Sequence, residues 1–301
     1  MDDDIDHVKR LDYDNLFKKV LKDYFWEALR IFLPALHEAA DRDIPVKSLD
    51  KELEKVTFDL EGGMNRLDML AEIHLKDGNE ELVLCHVEIQ GEGGEDLPTR
   101  MMRYRSAIFL ERRKEPVGIA VLTANRPKRE KTSYRSELFG VKVSYEYKNV
   151  FLLKTDDEEL LAGDSRVGLV LYAAKCAVKS GSDEGEKFRY LRGISDLWNG
   201  KGWNPHDKRV ILEAVNYLLN LTNRDYVERI VDYQEKLIMN REDREMYISM
   251  FERVYTARGR EEGKQEKAFE IAKNFLADGI PPEVVARNTG IPMDDIRALM
   301  N

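Results

Sequence analysis

Arg66-Leu-Asp-Met-Leu-Ala-Glu-Ile-His-Leu75, a short turn, and Glu81-Leu-Val-Leu-Cys-His-Val-Glu-Ile-Gln90 decide how this 301-residue chain is read. Both halves alternate apolar and polar residues, the period of a half-buried strand. The segment between them, Lys76-Asp-Gly-Asn-Glu80, holds Asp-Gly, a strong hairpin signal. A turn centred on Gly78 sets Asp68 opposite Glu88. Opposed side chains on an antiparallel pair have Cβ atoms about 5 Å apart. Two carboxylates that close repel unless a cation or a proton lies between them. Period 2 gathers Leu67, Met69, Ala71 and Ile73 with Val83, Cys85, Val87 and Ile89 on a core face. Asp68, Glu72, His74, His86, Glu88 and Gln90 fall on the opposite, non-core face.

Outward from the hairpin, the periodicity predicts a helix over residues 13–38, interrupted or ended at Pro34. A strand is expected over 53–60, with Gly62-Gly63 turning the chain into the hairpin. After a loop with three glycines, residues 99–114 read as a basic, aromatic helix. Val117-Gly-Ile-Ala-Val-Leu-Thr123 is a buried strand by its continuous apolar run. A basic loop and one bent strand or two over 141–153 follow, so the fold class is α/β with a mixed sheet. Beyond Asp156 the chain reads as helices, including 165–179, 186–198 and one from 208 that Asp207 caps. The expected domains are 1–155, an α-helical region over 156–257, and a charged helical linker with a short helical tail over 258–301.

Composition narrows the function classes. The chain is 43% hydrophobic and 35% charged, a soluble globular balance. A net charge of −9 argues against a generally basic nucleic-acid coat but not against a local patch. Residues 99–135 form such a patch, eleven Lys/Arg against three acids, a local balance of +8. The two cysteines, Cys85 and Cys176, have no metal or disulfide spacing, which suits a reducing cytoplasm. The acidic start, Met1-Asp-Asp-Asp-Ile-Asp6, is not a signal peptide, and no apolar run reaches the ~18 residues of a membrane span.

The chemistry centres on helix residue Asp14, strand residue Asp68 and Glu88-Ile89-Gln90. Phosphodiester hydrolysis calls for a hard cation that polarises the phosphate and lowers the pKa of an attacking water. Mg²⁺ takes oxygen ligands and is commonly held by one or two carboxylates. Asp68 and Glu88 fit that need, the Ile89 carbonyl can add a ligand, and Gln90 can orient the water or phosphate. Gln90 cannot serve as a base or a fixed charge. On its own, an acidic pair on a sheet face is more often solvated than metal-bound. Its company here, Asp14 before it and the basic segment behind it, shifts the balance toward a site. His74 and His86 read as surface residues or as supports behind the metal ligands rather than as ligands, because hard Mg²⁺ prefers oxygen.

These motifs resemble the PD-(D/E)XK nuclease superfamily, and more closely its Rpn-type recombination-promoting nuclease/transposase family. Tyr13-Asp14-Asn-Leu-Phe17-Lys18, Arg66-Leu-Asp68, His86-Val-Glu88-Ile-Gln90 and Arg100-Met-Met-Arg103-Tyr104 carry the resemblance, with the tail from Gly259 to Met300. It implies a restriction-endonuclease-like αβββαβ core followed by an α-helical C-terminal region. It also implies a Mg²⁺- or Mn²⁺-dependent DNA endonuclease linked to recombination or a mobile element. Where the superfamily has Lys this chain has Gln90, so the positive charge is expected from Lys18, Arg100 or Arg103. DNA contacts are expected from Arg100, Arg103, Arg105, Arg112 and Arg113. The C-terminal helices offer a route to a homo-oligomer. The rival reading is a catalytically inactive DNA-binding or scaffold protein that keeps the nuclease fold.

Overall fold

The structure is a computed structural model that describes residues 19–50, 69–88, 97–122 and 133–238, and positions 247, 271–273, 275–276, 280–289, 291 and 296. The expected strand over 53–60, the Gly62-Gly63 turn, the glycine loop after Gln90 and the basic loop at 123–132 lie outside them. The helix read over 13–38 comes in pieces: residues 19–23, α1 (Phe25–Phe32) and α2 (Pro34–Ala39). Pro34 causes the second break. A residue before proline is pushed out of the helical region, and Leu33 sits at φ −141°, ψ 70°.

A short strand β1 (Lys47–Ser48) pairs antiparallel with β2 (Met69–His74), and β2 antiparallel with β3 (Glu80–Glu88). β3 runs parallel to β4 (Pro116–Leu122), and β4 parallel to β7 (Lys148–Phe151). The result is a mixed five-stranded sheet in the order β1-β2-β3-β4-β7. β5 (Ser133–Leu138) and β6 (Val141–Glu146) form a separate two-stranded hairpin. The basic loop expected between Thr123 and Val141 therefore stops short, since a strand opens at Ser133.

The β2–β3 turn corrects the expected register. Leu75 N–H donates to the Asn79 carbonyl at 2.7 Å and Gly78 N–H to the Leu75 carbonyl at 2.9 Å, with Gly78 at φ +87°. A three-residue loop of this kind needs its last residue at positive φ, where glycine carries no Cβ penalty. The centre is thus Asp77, not Gly78. The ladder pairs Met69 with Cys85 and His74 with Glu80, two residues away from a Gly78-centred register. A shift of two leaves every side chain on its face.

The face taken as non-core is also corrected. Leu70, Leu82, Leu84, Ala120 and Leu122 point there and are buried. Helix α3 (Leu97–Arg112) covers them with Leu97, Met101, Tyr104 and Ile108. Met69, Ala71, Ile73, Val83, Cys85, Ile119 and Val121 on the other face are buried too. Alternation holds only toward the hairpin's turn, where Glu72 and His74 are half-buried and Glu80 is exposed. In the middle both faces are apolar, as in a sheet covered on both sides. Each fully buried Leu, Ile or Met there contributes about 1.5–3 kcal/mol.

Past Thr155 come α4 (Asp157–Leu161), α5 (Arg166–Ser180), α6 (Glu184–Asn199), α7 (Pro205–Leu218) and α8 (Arg224–Leu237). Ser165, Asp183 and Asn204 cap α5, α6 and α7 by accepting from Gly168, Glu186 and Asp207 N–H at 3.0, 2.9 and 2.9 Å. Asn204, followed by Pro205 at the first helical position, replaces Asp207 as the expected cap. The sheet and these helices belong to one compact unit, Arg10–Leu237. The second unit draws on Met1–Lys9 and Ile238–Asn301. Within it α9 (Pro282–Thr289) packs around Ala272, Val285, Ile291 and Ile296. Among the described residues no helix is long and apolar enough to cross a membrane.

Candidate functional site

Asp14, Lys18, Asp68, Ile89 and Gln90 lie outside the described residues. Glu88 closes β3 and sits in register with Leu122, the last residue of β4. The two parallel strands therefore end side by side. Among the described residues no three His, Cys, Asp or Glu side chains come together as a metal site.

The β3-α3-β4 unit fixes where the basic residues fall. β3 runs from Glu80 to Glu88, α3 returns from Leu97 to Arg112, and β4 starts at Pro116 beside Leu82. Arg100 and Arg103 thus belong to the first two turns of α3, at the Glu88 end of the sheet. Arg112 and Arg113 come at the other end, where Lys114 donates to the Glu80 carbonyl. At 1.5 Å per residue Arg112 lies roughly 18 Å along the helix from Arg100. Arg113 ends the helix at φ +55°.

Helical spacing also divides these cations sideways. Taking Leu97, Met101, Tyr104 and Ile108 as the buried stripe, about 100° per residue puts Arg100 and Arg103 on one flank and Arg105 and Arg112 on the other. Arg105 is engaged within the chain. Its guanidinium forms a two-pronged pair with Glu115, with Nε to Oε2 at 2.8 Å, and lies over the rings of Phe109 and Tyr145 at 5.6 and 5.9 Å. Arg112 lends its charge to the Glu72 carboxylate. That carboxylate is held below its ordinary pKa, first by the hydrogen bond from Lys47 at 2.8 Å.

Away from the sheet, one polar cluster escapes a local reading of the sequence. Glu27 of α1 reaches the start of α5: its Oε1 accepts from Arg166 Nη1 at 2.7 Å, and its Oε2 from Arg166 N–H at 2.6 Å and Ser165 Oγ at 3.1 Å. Arg166 Nε donates to Asp207 Oδ2 at 2.6 Å, and Tyr24 Oη donates to Asp207 Oδ1 at 2.8 Å. The Arg166 guanidinium lies over the rings of Tyr24 and Trp203. Burial, reinforced by the bond to Asp207, pushes the Tyr24 phenol well above its ordinary pKa. Each charge is answered inside the cluster, so it works as a latch between α1, α5 and α7. Ser165 and Asn204-Pro205 are legible as helix starts, but nothing local in the sequence announces that Glu27 will meet Arg166, which follows 139 residues later. Cys85 and Cys176 are both buried.

Comparison with known proteins finds no family model, no curated protein and no solved structure that matches this chain.

Proposed function

We propose that this protein is a Mg²⁺-dependent DNA endonuclease on a restriction-endonuclease-like core. One observation carries the reading: two antiparallel ladders, β1-β2-β3, are followed by a parallel β3-α3-β4 unit with Glu88 at the carboxyl end of β3. In open α/β sheets ligands gather beyond the carboxyl ends of parallel strands.

The donor set suits the ion. Asp68, Glu88 and the Ile89 carbonyl are hard oxygen donors of the kind Mg²⁺ or Mn²⁺ takes, and Asp14 supports them. The bound ion supplies Lewis acidity toward the phosphate and a more acidic water. Gln90 orients that water or a phosphate oxygen through its amide. Lys18 supplies a fixed cation in place of the lysine that Gln90 replaces. Arg100 and Arg103 grip the DNA backbone, being the expected cations at the Glu88 end of α3.

Supercoiled-plasmid nicking tests this. Wild type nicks with Mg²⁺ or Mn²⁺ and stops on chelation, while Asp68→Ala and Glu88→Ala each lose at least about 100-fold, more than outer-shell substitutions typically lose. No metal-dependent nicking by wild type, or equal nicking by both variants, sinks the proposal. Gln90 favours a second reading, a nuclease fold that binds DNA without cutting it. That protein retains plasmid but leaves it intact. Offering RNA beside DNA separates an RNA-directed enzyme from either.

A further inference from the structure

The β5–β6 hairpin has two unlike faces. Its register pairs Leu138 with Val141, Ser136 with Val143 and Tyr134 with Tyr145. Period 2 therefore lines one face with Leu138, Val141, Val143 and two tyrosines, broken only by Ser136. The opposite face is polar and neutral within itself: Arg135 pairs with Glu146 at 3.3 Å and Lys142 with Glu137 at 3.6 Å. The apolar face is anchored at its base, where Tyr145 packs beside the α3 core. Toward the tip its cover falls away. Val143, Leu138 and Val141 are 42%, 66% and 68% exposed, and Phe139 is 99% exposed.

Phe139 is the telling residue. With Gly140 it makes a two-residue turn, at φ +50° and +83°. Such turns favour Asn-Gly or Asp-Gly, because a short polar side chain tolerates the left-handed region. A bulky aromatic held there, touching almost nothing of its own chain, is a strained arrangement of the sort that marks a function.

We propose that a second copy of this chain seats on the apolar face of the hairpin, so that β5–β6 is a self-association arm. The area supports that occupant. With Phe109, which Arg105 bridges to Tyr145, the exposed apolar side chains offer on the order of 500 Å², so two copies face to face bury about 1,000 Å², the lower limit of a specific interface. Charge supports it as well. The hairpin is neutral and attracts neither phosphates nor a charged peptide, whereas an uncharged apolar patch is complementary to itself across a two-fold axis. The inference stands apart from the nuclease reading, since association needs neither DNA nor metal.

Sedimentation velocity on the full chain across micromolar concentrations tests it, with Phe139→Asn/Val141→Thr against the polar-face control Arg135→Ala/Lys142→Ala. Asn suits the turn better than Phe, so the double variant keeps the hairpin, which far-UV circular dichroism checks. The expected result is a wild type at twice the 35.0 kDa chain mass, an unchanged control, and a dissociation constant raised at least about tenfold in the double variant. A monomeric wild type overturns the proposal. So does a dimer that survives the double variant, which would move association to other surfaces such as the C-terminal helices. A monomer whose plasmid retention falls in the double variant also overturns it, making the tip a DNA contact.

Discussion

Removing the Glu27 carboxylate tests how firmly α1 is latched to the helices that follow the sheet. Glu27→Ala deletes the bond from Arg166 Nη1, the bond from Ser165 Oγ, and the acceptor for the Arg166 and Val167 N–H groups that open α5. Glu27 and Arg166 are 22% and 24% exposed, so the ion pair is screened and its loss amounts to about 1–2 kcal/mol, below the 3–5 of a fully buried pair. Losing an acidic cap from a helix N-terminus adds about 1 kcal/mol. The total is about 2–3 kcal/mol. At about 2–4 °C per kcal/mol for a unit of this size, the melting temperature falls by roughly 4–12 °C. Glu27→Gln keeps an oxygen acceptor and loses about half as much. Thermal unfolding followed by circular dichroism gives both values. Asp207→Ala should be non-additive with Glu27→Ala by more than about 0.5 kcal/mol, because both act on Arg166. A loss below about 1 kcal/mol for Glu27→Ala, or strict additivity, refutes the latch.

Two further outcomes follow from single residues. Gly168 in α5 lies against α4, and a Cβ there would collide with the Leu160 backbone carbonyl. Helix propensity alone predicts that Gly168→Ala gains about 1 kcal/mol, whereas the collision predicts a loss of about 1–3 kcal/mol, so the sign of the change in chemical denaturation decides. Glu184 accepts N–H bonds from Thr222 and Asn223 at 2.9 and 3.1 Å. Burial opposes its charge, but those bonds and Lys187 outweigh burial and hold its pKa below the ordinary value. A depressed folded pKa means that the stabilisation is complete above the ordinary carboxylate pKa of about 4.3 and is lost as pH falls through the folded value. Glu184→Gln therefore costs about 1–2 kcal/mol at pH 7 and nothing in strong acid. An equal deficit at both pH values contradicts the assignment.

The sequence disclosed the parts whose signals are local. Asp77-Gly78 marks the hairpin, the run from Val117 marks a buried strand, and Pro34 marks a helix break. The turn's centre is not legible in Asp-Gly alone, because Gly78 takes the left-handed last position of the loop rather than its middle. The second buried face is masked in the sequence because Glu72, His74, His86 and Glu88 alternate in step with Leu70, Leu82 and Leu84, which are buried. Only the packing of α3 shows which set governs the middle of the sheet. β5 gives little strand signal because Arg135 and Glu137 alternate with Ser136 and Leu138, which stay exposed, so its polar face reads as loop. As for the candidate site, order and spacing of the acidic residues could be read directly. The two-flank division of the basic helix could not, since it depends on which stripe the core claims.

The Glu27 latch also sets a schedule for synthesis. α1 leaves the ribosome before α5, and the N–H groups and guanidinium that its carboxylate caps arrive 139 residues later. At 5–20 residues per second that is a wait on the order of ten seconds. Throughout it the apolar stripe of Phe25, Ala28, Leu29 and Phe32 lacks its α5 partner. In that interval the stripe is open to chaperone capture, and the emergence of Ser165-Arg166 brings it to a close.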